Sequence, residues 1–257
     1  MTYLDSHCHF DFDAFDGRRQ TLWQACQQAG VSGMIIPGVS PGQWPRVFAL
    51  TAQLQGVYGA LGLHPWWVAE WLAKGQLELA SAMAELLQHP RCVAIGECGL
   101  DAAIELPLAQ QLPVFETQLQ LARDANLPVI IHARRSHNPT LELLGRYRLS
   151  RGGVIHGFSG SLELAQQYWR LGFRLGVGGT ITYSRAKKTR RALAAMPLEA
   201  LVLETDAPDM PLSGCQGKAN SPLQIPAVAQ TLAELRGQSV ADIARQTTQN
   251  TRQLFNL

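Results

Sequence analysis

The chain has 257 residues, too many for a minimal domain and few for two full ones, and 46% of them are apolar. One large domain spanning residues 1–257, with a substantial core, is therefore expected, and extensive disorder is excluded. A formal net charge of +2 demands neither a nucleic-acid nor a membrane partner.

From the N-terminus, Tyr3 to His9 enters a strand-like run with no basic segment and apolar stretch before it, so no secretory leader is expected. Further apolar runs follow at Gly33 to Gly38, Val57 to Leu63, Val93 to Cys98, Pro128 to His132, Gly153 to Phe158, Phe173 to Val177 and Leu201 to Thr205. Continuous runs of Val, Ile and Leu fit parallel strands covered on both faces. Amphipathic helix candidates lie between most of them, for example Arg18 to Ala29, Leu79 to Gln88, Leu108 to Asn126, Leu162 to Leu171 and Ala186 to Ala195. Gly30, Gly145 and Gly172 stand where helix C-caps would fall. Eight such strand–helix repeats predict an α/β fold, a (β/α)8 TIM barrel. An open doubly wound sheet is the competitor, but no GxGxxG opens a helix. A Pro-, Gly- and Ser-rich loop from Ala207 to Pro222 leads to two closing helices, Leu223 to Arg236 and Val240 to Leu254. No apolar run reaches the roughly 18 residues of a membrane helix. Cys8, Cys26, Cys92, Cys98 and Cys215 are odd in number and show no CxxC spacing, which fits free thiols in a reducing cytoplasm.

The chemistry-bearing residues cluster where strands end. On an extended segment His7 and His9 share a face, while Cys8 points away. Alone, they read as readily as core histidines. But Glu97, His132, His156 and Asp206 each terminate an apolar run, and burying any one of them unpaired costs several kcal/mol. A barrel gathers the C-terminal ends of its strands at one face. Four imidazoles and two carboxylates then converge, and a metal centre satisfies them together. Nitrogen and oxygen donors suit Zn, Mn, Fe, Co or Ni, with no thiolate needed, so Cys8 and Cys98 are read as packing. Six candidate ligands exceed the four of a closed structural zinc site. Two divalent cations per chain (Zn, Mn or Mg) sharing Glu97 or a bridging water fit better, since such a pair can activate water and clamp a leaving oxygen. Asp206 is the candidate catalytic base.

Several segments together identify a family. They are Asp5-Ser6-His7-Cys8-His9, Gly62-Leu63-His64-Pro65, Gly96-Glu97-Cys98-Gly99-Leu100-Asp101, Ile131-His132-Ala133-Arg134, His156-Gly157-Phe158-Ser159-Gly160, Gly178-Gly179-Thr180-Ile181-Thr182 and Leu203-Glu204-Thr205-Asp206-Ala207-Pro208, with Asn220-x-Pro222 and the stretch from Asn250 to Phe255. The chain resembles, over essentially its whole length, the TatD family of metal-dependent deoxyribonucleases within the amidohydrolase-like barrels. The resemblance implies a bimetal centre on His7, His9, Glu97, His132, His156 and Asp206. It also implies phosphodiester hydrolysis of the 3'-5' exonuclease kind and a cytoplasmic monomer. The chain departs from the family at substrate-facing positions: Ala102-Ala103 replace an aromatic pair, Arg135 an Asp, Asp209 an aromatic, and Gln216 to Ser221 a more basic stretch.

Outside the six, His64 is expected to touch a ligand or substrate, and Arg134 to contact phosphate through its planar fork. Glu204 shares the face of Asp206 and is expected to orient a ligand or bond substrate. Trp66 and Trp67 could stack a base, but packing of a long loop is the plainer expectation. The basic run Arg185, Lys187, Lys188, Arg190, Arg191 is read as a solvated helix face. Three functions stay in play. The first is a phosphodiesterase acting on single-stranded nucleic acid. The second is hydrolysis of another ester, amide or lactone by the same centre. The third is a non-catalytic metal-binding barrel.

Overall fold

The computed structural model describes residues 1–75 and 78–257. Eight strands form one sheet in sequence order, every neighbouring pair parallel. They are β1 (Tyr3–Asp5), β2 (Val31–Pro37), β3 (Val57–Leu61), β4 (Cys92–Asp101), β5 (Val129–Arg134), β6 (Gly153–Ile155), β7 (Phe173–Val177) and β8 (Leu201–Leu203). The sheet closes on itself just past β1 and β8. There the Ser6 N–H donates to the Leu203 carbonyl at 2.9 Å, and the Asp206 N–H to the His7 carbonyl at 2.9 Å. The helices are α1 (Arg19–Gln28), α2 (Trp44–Gln53), α3 (Pro65–Ala73), α4 (Leu79–Leu87), α5 (Leu108–Asp124), α6 (His137–Tyr147), α7 (Leu162–Arg170), α8 (Lys187–Ala195), α9 (Ile225–Arg236) and α10 (Val240–Phe255). The TIM-barrel expectation is met.

The period of two along each strand divides the core. Residues on the outward face, such as Met34, Leu61, Ile131 and Leu203, pack under the helices. Those on the inward face, Ile35, Ala60, Ala94, Ile130, Val154 and Val202, form a separate buried cluster with Leu254 and Phe255 of α10. The last turn of α10 thus stoppers the barrel interior from below. His132 and His156 lie two residues beyond Ile130 and Val154, so the same alternation aims them inward, above that apolar layer.

The structure corrects several boundaries. β1 stops at Asp5, and His7 and His9 continue it as extended chain pinned on both sides: Cys8 N–H donates to the Ile35 carbonyl and His9 N–H to the Ala207 carbonyl. Glu97 lies inside β4, whose pairing with β5 runs on to Asp101. Gly145 is interior to α6; that helix ends with Arg148 in the left-handed region at φ 46°. Trp66 and Trp67 sit in the first turn of α3, not in a long loop.

Candidate metal centre

At the C-terminal mouth of the barrel, Glu97 divides its two oxygens between two groups of imidazoles. Oε2 lies 3.2 Å from His7 Nε2 and 3.5 Å from His9 Nε2. Those two nitrogens are 3.3 Å apart, and Asp206 Oδ1 is 3.3 Å from His7 Nε2 and 3.5 Å from His9 Nε2. Five spacings among these four donors are therefore 3.2–3.5 Å. Donors about 2.1 Å from a metal in a tetrahedron stand about 3.4 Å apart, so His7, His9 and Glu97 have the spacing of ligands on one cation, with Asp206 beside them.

Glu97 Oε1 faces the second group. His156 Nε2 is 2.9 Å and His132 Nδ1 3.1 Å away, and the two nitrogens are 3.3 Å apart. Glu97 and the imidazoles of His7, His9 and His156 are nearly sealed from solvent, so these donors would be costly to bury without a shared partner. All six sequence candidates come together, and Glu97 belongs to both groups, as a bridging ligand would.

Burial favours neutral groups, yet charge separation prevails. Burial pushes the Glu97 carboxyl up, but His156, His64 and His7 pull it well below its ordinary range. Asp206 is likewise held low by bonds to His7 and His9 against burial. Burial opposes protonation of His9 and His132, but the carboxylates raise both to about 9. The carboxylates thus gather positive charge at the point where a cation fits. Asp206 also adopts φ 56°, a left-handed backbone that Asp tolerates better than most residues and that is common at functional sites.

The three surrounding candidates take different parts. His64 caps α3: its Nδ1 accepts the Trp66 N–H at 3.2 Å, which puts the proton of the neutral ring on Nε2, 3.4 Å from Glu97 Oε1. His64 thus turns its Nε2 toward Glu97 Oε1. Glu204 Oε1 accepts the N–H of Gly157, the residue after His156, while His156 Nδ1 is 3.9 Å away, beyond a hydrogen bond. It holds the backbone at His156, not the ring. Burial raises its carboxyl to about 8. The carboxylate occupies space that Gly176 leaves open, where a Cβ would stand 2.1 Å from Glu204 Oε2. Arg134 is exposed on the wall of a 720 Å³ cleft above the donors. That cleft is lined by the apolar Phe12, Trp66, Trp67, Phe158 and Met210 and by the polar Arg134, Arg135, His137, Ser159 and Asp209. Trp66 and Trp67 are exposed at 57% and 39%, against the packing role expected from sequence.

Sequence reasoning assigned no role to Asp101. Its Oδ2 lies 3.1 Å from His132 Nε2 and accepts the Trp66 indole N–H at 2.9 Å. The available signal was its place four residues beyond Glu97 on one strand, which puts both carboxylates on one face.

Comparison with known proteins agrees with this geometry. The family described as "TatD related DNase" matches residues 4–256. The metal-dependent hydrolase YjjV of Escherichia coli is 44% identical, covering 99% of this chain and 98% of that one. A crystal structure of the Escherichia coli TatD homologue YjjV superposes with a TM-score of 0.93 at 43% identity, over 99% of this chain and 98% of that one. A protein of Erwinia amylovora named 3'-5' ssDNA/RNA exonuclease TatD is 32% identical, over 93% of this chain and 94% of that one. A non-catalytic barrel is thereby set aside: the chain belongs to the TatD-related DNase family and is one of its metal-dependent hydrolases.

Proposed function

We propose that the 257 residues act as one catalytic unit, a phosphodiesterase that removes nucleotides from single-stranded nucleic acid ends in the 3'-5' sense. One divalent ion is assigned to His7, His9, Glu97 and Asp206, and a second to Glu97, His132 and His156. The observation that carries the reading is the division of Glu97 between two imidazole groups. When bound, two such ions supply an acidified water and charge neutralisation for a leaving oxygen.

The chain's own residues do the rest. Asp206, at the cleft wall, accepts the proton of the attacking water at Oδ2, the oxygen not turned to His7 and His9. The water oxygen bonds to phosphorus, the ester P–O bond breaks, and the proton passes to the departing oxygen. His64 steadies Glu97 by donating from Nε2. Arg134 and Arg135 offer planar cations to the phosphate, and Trp66 and Trp67 offer faces to unpaired bases, which every base can stack upon. The direction is supported by the name of the Erwinia amylovora relative. No helix among the described residues is long and apolar enough to cross a membrane. We place the chain in the cytoplasm as a monomer; the unpaired state of the described cysteines supports the reducing compartment.

Asp209 favours a second reading. Its carboxyl faces the same cleft and is raised by burial and by the neighbouring Asp206. An anion there suits a less charged substrate, such as a carboxylic ester, amide or lactone. Purified protein with Mg, Mn or Zn, offered single-stranded DNA, RNA, bis(p-nitrophenyl) phosphate, esters and lactones, separates the two. The proposal expects phosphodiester turnover that drops on the order of 10²–10⁴-fold in Asp206→Asn. Turnover confined to esters or lactones, or nuclease activity surviving that substitution, would refute it.

A further inference from the structure

We propose that Asp101 is the positioning residue for His132 at the second ion, and that Trp66 ties the substrate wall of the cleft to that ligand through the same Asp101 oxygen. The inference rests on the reading of His132 as a metal ligand.

Among the imidazoles assigned as ligands, His132 differs from the rest. The outer nitrogens of His7, His9 and His156 find no protein partner. His132 alone among them has its outer nitrogen held, by Asp101 Oδ2 at 3.1 Å. A carboxylate behind a ligating imidazole fixes the ring's tautomer and aim and makes it a better donor. Asp101 is itself immobilised. It is fully buried, its Oδ1 accepts the Ala103 N–H at 2.8 Å, and its backbone N–H and carbonyl are both bonded to the Gln111 side-chain amide at 2.8 and 2.9 Å.

The same Oδ2 accepts the indole N–H of Trp66, a cleft residue that is 57% exposed. Trp66 reaches the centre a second way, since its backbone N–H is held by His64 Nδ1, whose other nitrogen faces Glu97. One exposed aromatic is thus bonded toward both His132 and Glu97, two of the three donors of the second group. The first group shares Glu97 and meets a cleft aromatic by stacking, Phe12 on His9 with ring centroids 4.6 Å apart, but among the described residues no indole is hydrogen-bonded behind its imidazoles. A base that stacks on Trp66 restrains the indole, hence Asp101, hence His132. By reciprocity of coupled binding, an ion at His132 then favours the stacked base to the same degree.

Titration of metal-stripped protein with Mn²⁺, following free Mn²⁺ by electron paramagnetic resonance, tests this. Wild type should take up two ions. Asp101→Asn should keep the first and lose about 10–100-fold in affinity for the second. Trp66→Phe, which keeps an aromatic face but removes the N–H, should weaken only the second ion, by roughly two- to tenfold. Its kcat at limiting Mn²⁺ should fall. Trp66→Phe alters an exposed ring, so it decides the matter if Asp101→Asn fails to fold. Wild-type affinities in both variants, with the second ion lost in His132→Ala, would overturn the positioning role while leaving the ligand assignment intact. Two ions retained in His132→Ala would overturn the assignment itself.

Discussion

His9 and His132 carry protons that their carboxylate partners hold up to about 9. Their folded values are raised above that of an ordinary imidazole near 6.5, so the stabilisation they give metal-stripped protein is complete below about pH 6.5 and lost as pH rises toward about 9. A divalent cation needs the same nitrogens unprotonated, so its affinity rises across that window. Calorimetric melting should therefore show opposite slopes: falling with pH after chelation, rising with pH at fixed excess metal. Parallel slopes would count against these imidazoles as ligands. At this scale the six donors were legible because each is a polar side chain ending or following an apolar run, an arrangement that is costly without a partner. Asp101 was not legible, because its contacts with His132 and Trp66 join three separate elements. The distinction between a His64 that ligates and one that donates depends on which nitrogen caps α3, which no spacing reveals.

Elements set the site by what they leave out as much as by what they present. Gly176 in β7 gives Glu204 its room, and Glu204 in turn holds the peptide after His156. Gly176→Ala should destabilise the fold by about 1–3 kcal/mol through overpacking. Combined with Glu204→Ala, it should cost clearly less than the sum of the single changes, since the clash is then gone. Urea unfolding of the four proteins measures this, and strict additivity would show that the glycine serves something else. At α3, His64→Asn keeps a cap acceptor but loses the reach to Glu97. It should melt within a degree or two of wild type with reduced activity, whereas His64→Ala should also lose about 0.5–2 kcal/mol from the uncapped helix. The strand–helix alternation was readable from apolar runs. Helix ends were less so: Gly145 looks like a cap by type, yet α6 runs past it and turns at Arg148.

Across the whole molecule, the closing helix and the active face lie at opposite ends of one barrel. Phe255 and Leu254 fill the interior layer beneath the inward-facing donors. Phe255→Ala should cost about 3–5 kcal/mol by leaving a cavity there. Turnover per folded molecule, measured at low temperature after correcting for the unfolded fraction, should hardly change. A large loss of specific activity would mean that the lower layer governs the mouth as well. The seam where the last strand returns to the first has a further property. His7 and His9 follow the first strand and Asp206 follows the last, so one ion would be gripped from both sides of the join. The ion then works as a clasp on a hoop. Chelation should speed hydrogen exchange at the Ser6 and Asp206 amides, which cross the join, far more than at the amides between β2 and β3. The chain would spring its catalytic mouth and its barrel closure at the same place.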